Sequence, residues 1–256
     1  MNPRCVLFGD SITQQSFSVG GYGARVADRY ARRMDVLNRG YSGYNTRWAL
    51  ERIAEVFPTS AAAGDDVKLV TVFFGANDAA LPDLSGARQH VPLDEYRRNL
   101  AAIATHIRSS CGDGCAIALI TPPPVDHTKR LAFQRERYGD DATGELERTN
   151  ETAGAYAAAC VEVAAAEGLP VVELWKAMQA ADGGAAQFLS DGLHLSQAGN
   201  AFVAEALLAV VAERWPSIAV TVCRWTGASA NSGSSCAGLP PHLEWHDGLG
   251  LGVAEK

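Results

Sequence analysis

Apolar and polar positions along the chain alternate between two patterns. Residues 68–74, KLVTVFF, run through β-branched and aromatic side chains between Asp65-Asp66 and Gly75, as expected for a strand buried on both faces. Residues 5–8 and 116–120 are shorter apolar runs. Gly9 closes the first, and Thr121 with three prolines closes the second, because prolines lack the N–H groups that continue a ladder. Residues 36–37 and 170–174 read as two further strands. Between these runs the apolar spacing becomes three and four. Val26, Ala27 and Tyr30 mark a helix over 23–33, and Trp48, Ile53, Val56 and Phe57 another that stops before Pro58. Leu93, Tyr96, Leu100, Ile103 and Ile107 line a third. Residues 145–167 are helix-rich, and 196–215 form a long last helix, alanine throughout, with Ser196 at its N-cap. Five strands separated by helices predict an α/β fold, a three-layer α/β/α sandwich around a five-stranded parallel sheet.

Two stretches leave this rhythm. Residues 126–143 are polar, charged and glycine-containing, and read as a surface insertion after the fourth strand. From about residue 217 the composition shifts to a Ser/Gly-rich stretch at 226–238, then Pro240, Pro241 and Trp245. The expected organisation is one domain over 1–216, with 217–256 a linker and a tail that docks back on it. The apolar stretch 239–251 serves a homodimer interface equally well.

Composition narrows the classes of partner. Across 256 residues, 47% apolar and 8% aromatic side chains supply a core, which excludes wholesale disorder. With 22 basic against 29 acidic residues the net charge is −7, the wrong sign for a general phosphate-backbone binder, so no nucleic-acid partner is expected. No run of about 18 apolar residues is present, so no membrane span is expected. The six cysteines, at 5, 111, 115, 160, 223 and 236, do not read as a disulfide framework in a chain that is neither small nor visibly secreted. The apolar run after Arg4 is too short for a signal peptide, so a cytoplasmic location is the expectation. Cys111 and Cys115 lack a second pair at metal-ligand spacing, so a surface loop or local redox pair is expected there rather than a metal.

The residues with chemistry fall at the ends of the expected strands, where open parallel sheets bind their ligands. Gly9, Asp10 and Ser11 follow the first strand. Ser11 there can present its Oγ to a substrate, cap a helix, or join a phosphate cradle, although no phosphate-binding glycine motif accompanies it. Residues 38–45, NRGYSGYN, follow the second strand, and Gly75, Ala76, Asn77 and Asp78 the third. Asn77 reads as a turn residue or as a fixed, uncharged hydrogen-bond donor. Asp191 and His194 lie three apart before the last helix. A carboxylate so placed can orient an imidazole whose other nitrogen takes a proton from serine; the alternative is a surface pair.

These stretches resemble the SGNH (GDSL-type) hydrolases. Gly9-Asp10-Ser11 matches the first block, Gly43 the second, Gly75-Ala76-Asn77-Asp78 the third, and Asp191-Gly192-Leu193-His194 the last, over roughly residues 4–214. FGDSITQQSF at 8–17, residues 39–45, HVPL at 90–93, residues 121–124 and DGLHLSQAGN at 191–200 are similar to the isoamyl acetate-hydrolysing esterase-like branch. The resemblance implies a flavodoxin-like SGNH hydrolase fold and a Ser11–His194–Asp191 triad. It also implies an oxyanion hole from the Ser11 and Gly43 N–H groups and the Asn77 side chain, with no cofactor. The implied activity is hydrolysis of a small-molecule carboxylic ester, with short acyl chains inferred from the branch. An O-acetyl esterase on a carbohydrate or natural product, or a thioesterase, stands beside it, and a non-catalytic flavodoxin-like binding module stands outside the enzyme class. Asp10 is expected to support the loop, and His90 to shape the pocket rim. His106 and His127 are expected in solvent, and Arg47 in a surface salt bridge or on an acidic substrate. Phe17, Trp48, Phe74 and Leu195 are core or pocket wall.

Overall fold

The computed structural model describes residues 2–59 and 66–220. Five parallel strands, β1 (Arg4–Gly9), β2 (Asp35–Gly40), β3 (Val67–Phe73), β4 (Ala116–Ile120) and β5 (Val171–Val172), lie in the order β2-β1-β3-β4-β5. The helices are α1 (Ser11–Gln14), α2 (Tyr22–Arg29), α3 (Thr46–Val56), α4 (Leu93–Cys111), α5 (His127–Tyr138), α6 (Asn150–Ala166), α7 (Leu174–Ala180) and α8 (Gln197–Arg214).

Strand alternation builds the two halves of the core. On one face Cys5, Leu7, Leu69, Phe73, Ala118 and Ile120 pack with Tyr22 and Val26 of α2 and Val203, Leu207 and Val211 of α8. On the other, Val6, Phe8, Val70, Val72, Ile117 and Leu119 pack with Ile53 of α3, Leu100, Ile103 and Ile107 of α4, and Cys160 and Val163 of α6. Side chains of successive strand residues point to opposite faces, so a continuous apolar run such as β3 feeds both layers. The chain leaves β1 for β2 on one side and returns to β3 on the other. The strand order therefore reverses direction at β1, and the crevice at its carboxyl end is where such sheets take ligands.

Several elements differ from the periodicity. α2 ends at Arg29, and Arg32 is left-handed at φ +68°. β5 keeps two residues of the expected five. β2 extends to six residues, because its pairing with β1 carries the ladder past the apolar pair. The stretch 126–143 is no loose surface insertion. Asp126 caps α5 by accepting from Lys129 N at 2.8 Å, and the helix buries Arg130 and Gln134. The last helix starts where expected, with Ser196 accepting from Gly199 N at 3.1 Å. No helix among the described residues is long and apolar enough to cross a membrane. The linker, tail and dimer expectations for 217–256, with Cys223 and Cys236, lie from residue 221 onward outside the described residues.

Candidate active site

Ser11 opens α1 immediately beyond β1. Asp10 is the N-cap, its Oδ1 accepting from Ile12 N at 2.9 Å, so the serine sits at the helix start with 8% of its surface exposed. The loop after β2 is laced to this turn. Tyr41 N donates to Gly9 O at 2.8 Å, Asn38 Nδ2 to Thr13 O at 3.0 Å, and Ser42 N to Gln14 Oε1 at 2.8 Å. Gly43 takes φ +81°, a left-handed conformation that glycine adopts without steric cost. After β3, Asn77 lies almost fully buried, its Nδ2 donating to Tyr44 O at 2.9 Å.

The loop before α8 brings in the remaining pair. Leu193 N and His194 N donate to Asp191 Oδ1 at 2.9 and 2.7 Å. His194 Nδ1 lies 2.7 Å from Asp191 Oδ2, and His194 Nε2 lies 3.0 Å from Ser11 Oγ. Burial works to raise the Asp191 carboxyl, but the hydrogen bond and charge of His194 and the two backbone N–H groups override it. The group is held well below the usual carboxylate range. An ionised carboxylate only accepts, so Nδ1 carries the imidazole proton and Nε2 turns a lone pair towards the serine hydroxyl. This contact chain can deprotonate the hydroxyl as it attacks an electrophile. Asp10 and Asp78 are pushed up by burial, to about 7 and about 6.

Ser11, Gly43, Asn77 and His194 line one cavity of about 440 Å³, and Asp191 stands behind His194. Most of its remaining lining side chains are polar or charged, with the Tyr138 ring among them. Gln89, Arg130, Gln134, Thr143, Glu147 and Arg148 all face it, and Leu193 is the one aliphatic side chain larger than alanine among its lining residues. A shallower recess of about 350 Å³ continues past Gly43 to Tyr44, Trp48 and Arg88.

Part of this wall is a buried ionic cluster that the sequence hardly announces. Arg130 donates to Glu147 through Nε at 2.6 Å and again through Nη2, and Arg148 Nη1 reaches the same carboxylate at 3.1 Å. Their side chains are 10%, 6% and 5% exposed for Arg130, Glu147 and Arg148. Burial would raise Glu147, but the hydrogen bond from Arg130 and the charges of both arginines hold it below its ordinary value. The only signal in the sequence was the i, i+4 spacing of Arg130 and Gln134 on a stretch that begins with a capping aspartate.

Other candidates take different places. His90 does not line the cavity; its Nδ1 meets Ala80 O at 2.6 Å and pins the loop before α4. His106 Nε2 lies 2.9 Å from Phe57 O, and His127 Nε2 accepts from Asn150 N at 2.8 Å, so both imidazoles have protein partners instead of solvent alone. Arg47 forms a forked pair with Glu95 at 2.6 and 2.7 Å. Phe74 is core, Trp48 lines the shallow recess, and Phe17 is 44% exposed. Cys111 and Cys115 are free thiols, and Cys115 Sγ donates to Ala116 O at 3.7 Å. Among the described residues no group of three or more His, Cys, Asp or Glu is placed to hold a metal.

Comparison with known proteins gives concordant matches. The model of the GDSL-like lipase/acylhydrolase family matches residues 5–207. A GDSL esterase/lipase of Arabidopsis thaliana is 47% identical over 217 residues, 85% of this chain and 88% of that protein. An isoamyl acetate-hydrolyzing esterase 1 homolog of Rattus norvegicus is 46% identical over 201 residues, 78% of each. The crystal structure of the lipase/acylhydrolase from Enterococcus faecalis has a TM-score of 0.63 at 28% identity, covering 83% of this chain and 96% of that one.

Proposed function

The chain belongs to the GDSL-like lipase/acylhydrolase family and is a carboxylic-ester hydrolase; from that premise we propose that it cleaves short-chain, acetyl-type esters through Ser11, His194 and Asp191. The observation that carries this reading is the unbroken contact chain Ser11 Oγ, His194 Nε2, His194 Nδ1, Asp191 Oδ2 at the edge of a cavity. Ser11 Oγ attacks the ester carbonyl while His194 Nε2 takes its proton, and Asp191 holds the tautomer and stabilises the imidazolium. The tetrahedral oxyanion is held by the Ser11 and Gly43 N–H groups and Asn77 Nδ2. Collapse breaks the bond to the alkoxy oxygen, which leaves as alcohol with the proton from His194. Water then adds to the acyl-enzyme, activated by the same imidazole, and releases the acid.

Leu193 and the Tyr138 ring are the large apolar groups among the lining residues, room for a short acyl group rather than a long chain. The hydrogen-bonding side chains around it also favour a second reading, an O-acetyl ester of a polyhydroxylated alcohol such as a carbohydrate. Cytoplasmic residence belongs to the same proposal, supported by four free cysteines among the described residues, at 5, 111, 115 and 160. Turnover of p-nitrophenyl acetate by wild type and Ser11→Ala tests the mechanism. The expected loss is at least about 10³-fold in kcat with the fold intact; unchanged turnover in Ser11→Ala rejects Ser11 as nucleophile.

A further inference from the structure

We propose that Arg148 is a positioning residue for ester cleavage, whose buried guanidinium decides which end of the Asn77 amide faces the cavity. The inference rests on the reading of Asn77 as an oxyanion donor. Asn77 Oδ1 accepts from Arg148 Nη2 at 3.0 Å while Asn77 Nδ2 donates to Tyr44 O at 2.9 Å. A guanidinium only donates and a backbone carbonyl only accepts, so one orientation of the amide satisfies both. Turned by half a rotation, Oδ1 would face the Tyr44 carbonyl and the NH2 group would face a cation. With one Nδ2 hydrogen committed to Tyr44, the second is available for the developing oxyanion.

The guanidinium that imposes this choice is itself fixed. Arg148 Nε donates to Ala76 O at 2.8 Å, next to Asn77 in the chain, and Nη1 pairs with Glu147 at 3.1 Å. Nη2 also donates to Gln89 Oε1, and Gln89 Nε2 donates to Gly43 O at 2.9 Å. One buried cation therefore ties the Asn77 arm of the oxyanion site directly and the Gly43 arm through Gln89. On the far side, Glu147 links it to Arg130, which contacts the Asp191 carboxylate at 3.4 Å. Oxyanion donors stabilise a transition state in proportion to how well they are aimed before the reaction. An amide released from Arg148 keeps its place in the wall but loses its aim.

A double-mutant cycle on the full chain tests this, reading kcat and KM for p-nitrophenyl acetate in Asn77→Ala, Arg148→Met and the pair. Asn77→Ala is expected to lower kcat by about 10²-fold. Arg148→Met is expected to lower kcat about tenfold in the wild-type background but less than about threefold where Asn77 is already alanine, with KM within about threefold throughout. Equal factors in the two backgrounds overturn the inference and leave the oxyanion reading of Asn77 standing. An unchanged kcat in Asn77→Ala removes that reading, and this inference with it. Should Arg148→Met fail to fold, Arg148→Lys carries the cycle: its ammonium still pairs with Glu147 but cannot reproduce the planar fork that reaches Ala76 O, Asn77 and Gln89 together.

Discussion

The Arg130 guanidinium reaches Asp191 Oδ2 at 3.4 Å, the same carboxylate oxygen that His194 Nδ1 meets at 2.7 Å. Arg130 comes from α5, so the helix that looked like an insertion braces the loop that carries His194. Its main partner is the buried Glu147. Truncating one member of a buried pair leaves an uncompensated charge. Arg130→Met is therefore expected to lower the free energy of unfolding in urea by about 3 kcal/mol. A variant within about 0.5 kcal/mol of wild type would mean that Arg148 and Gln134 suffice to hold Glu147.

Gly192 separates Asp191 from Leu193 and His194 and takes φ +84°. A Cβ there would lie 2.5 Å from both Arg130 N and Asp126 O, backbone atoms of the α5 N-terminus. Gly192→Ala must move either the loop or the helix, so we expect a kcat loss of about tenfold or more and destabilisation of about 2–3 kcal/mol. Gly112→Ala serves as the control: φ is +77° but no atom lies within 4 Å of the added Cβ. With ψ at +167° it should cost a backbone penalty of about 1–3 kcal/mol and leave kcat alone. Similar kinetics for the two variants would contradict the steric argument.

Asp10 has its carboxyl raised by burial from 3.8 to about 7, and Asp78 from 3.8 to about 6. An acid whose folded pKa is raised binds its proton more tightly folded than unfolded. Stability from this source is fully present below pH 3.8 and is lost as pH rises through about 7 for Asp10 and about 6 for Asp78. Unfolding in urea at pH 5 and pH 8 should find the protein more stable at pH 5. Asp10→Asn, which keeps the acceptor for Ile12 N, should narrow that difference. An equal difference in wild type and variant would show that Asp10 does not titrate in this window.

The charged and amide side chains in the cavity wall set an expectation for acyl length. Along p-nitrophenyl esters from acetate to palmitate, kcat/KM should fall steeply beyond the first few carbons, because a longer chain finds Arg148, Glu147 and Gln134 where it needs apolar surface. Flat or rising values towards palmitate would exclude the short-acyl proposal.

How much of this could be read before the structure differs by element. β3 and α4 were plain, since an apolar run and a three-four spacing report directly which side chains leave water. Ser196 marked the start of α8 through its cap. The apolar pair 36–37 marks only the centre of β2, because pairing with β1 and not its own side chains extends it. Within the site, motif order singles out Ser11, Gly43, Asn77, Asp191 and His194, and the fold places them in or beside one cavity. Arg130, Glu147 and Arg148 are not legible in the sequence, because a charged residue reads as surface unless its partner is known.

The α/β layering, the strand ends at which chemistry gathers and the residue types available there are written in the chain itself. All three are local, carried by hydrophobic period, caps and turn residues. The tertiary structure alone decided that Asp191, Arg130, Glu147, Arg148 and Asn77 form one buried chain of contacts across the cavity wall. Those residues come from four separate segments. Burying a charge depends on which opposite charge the fold delivers to it, and no local pattern of side chains encodes that pairing.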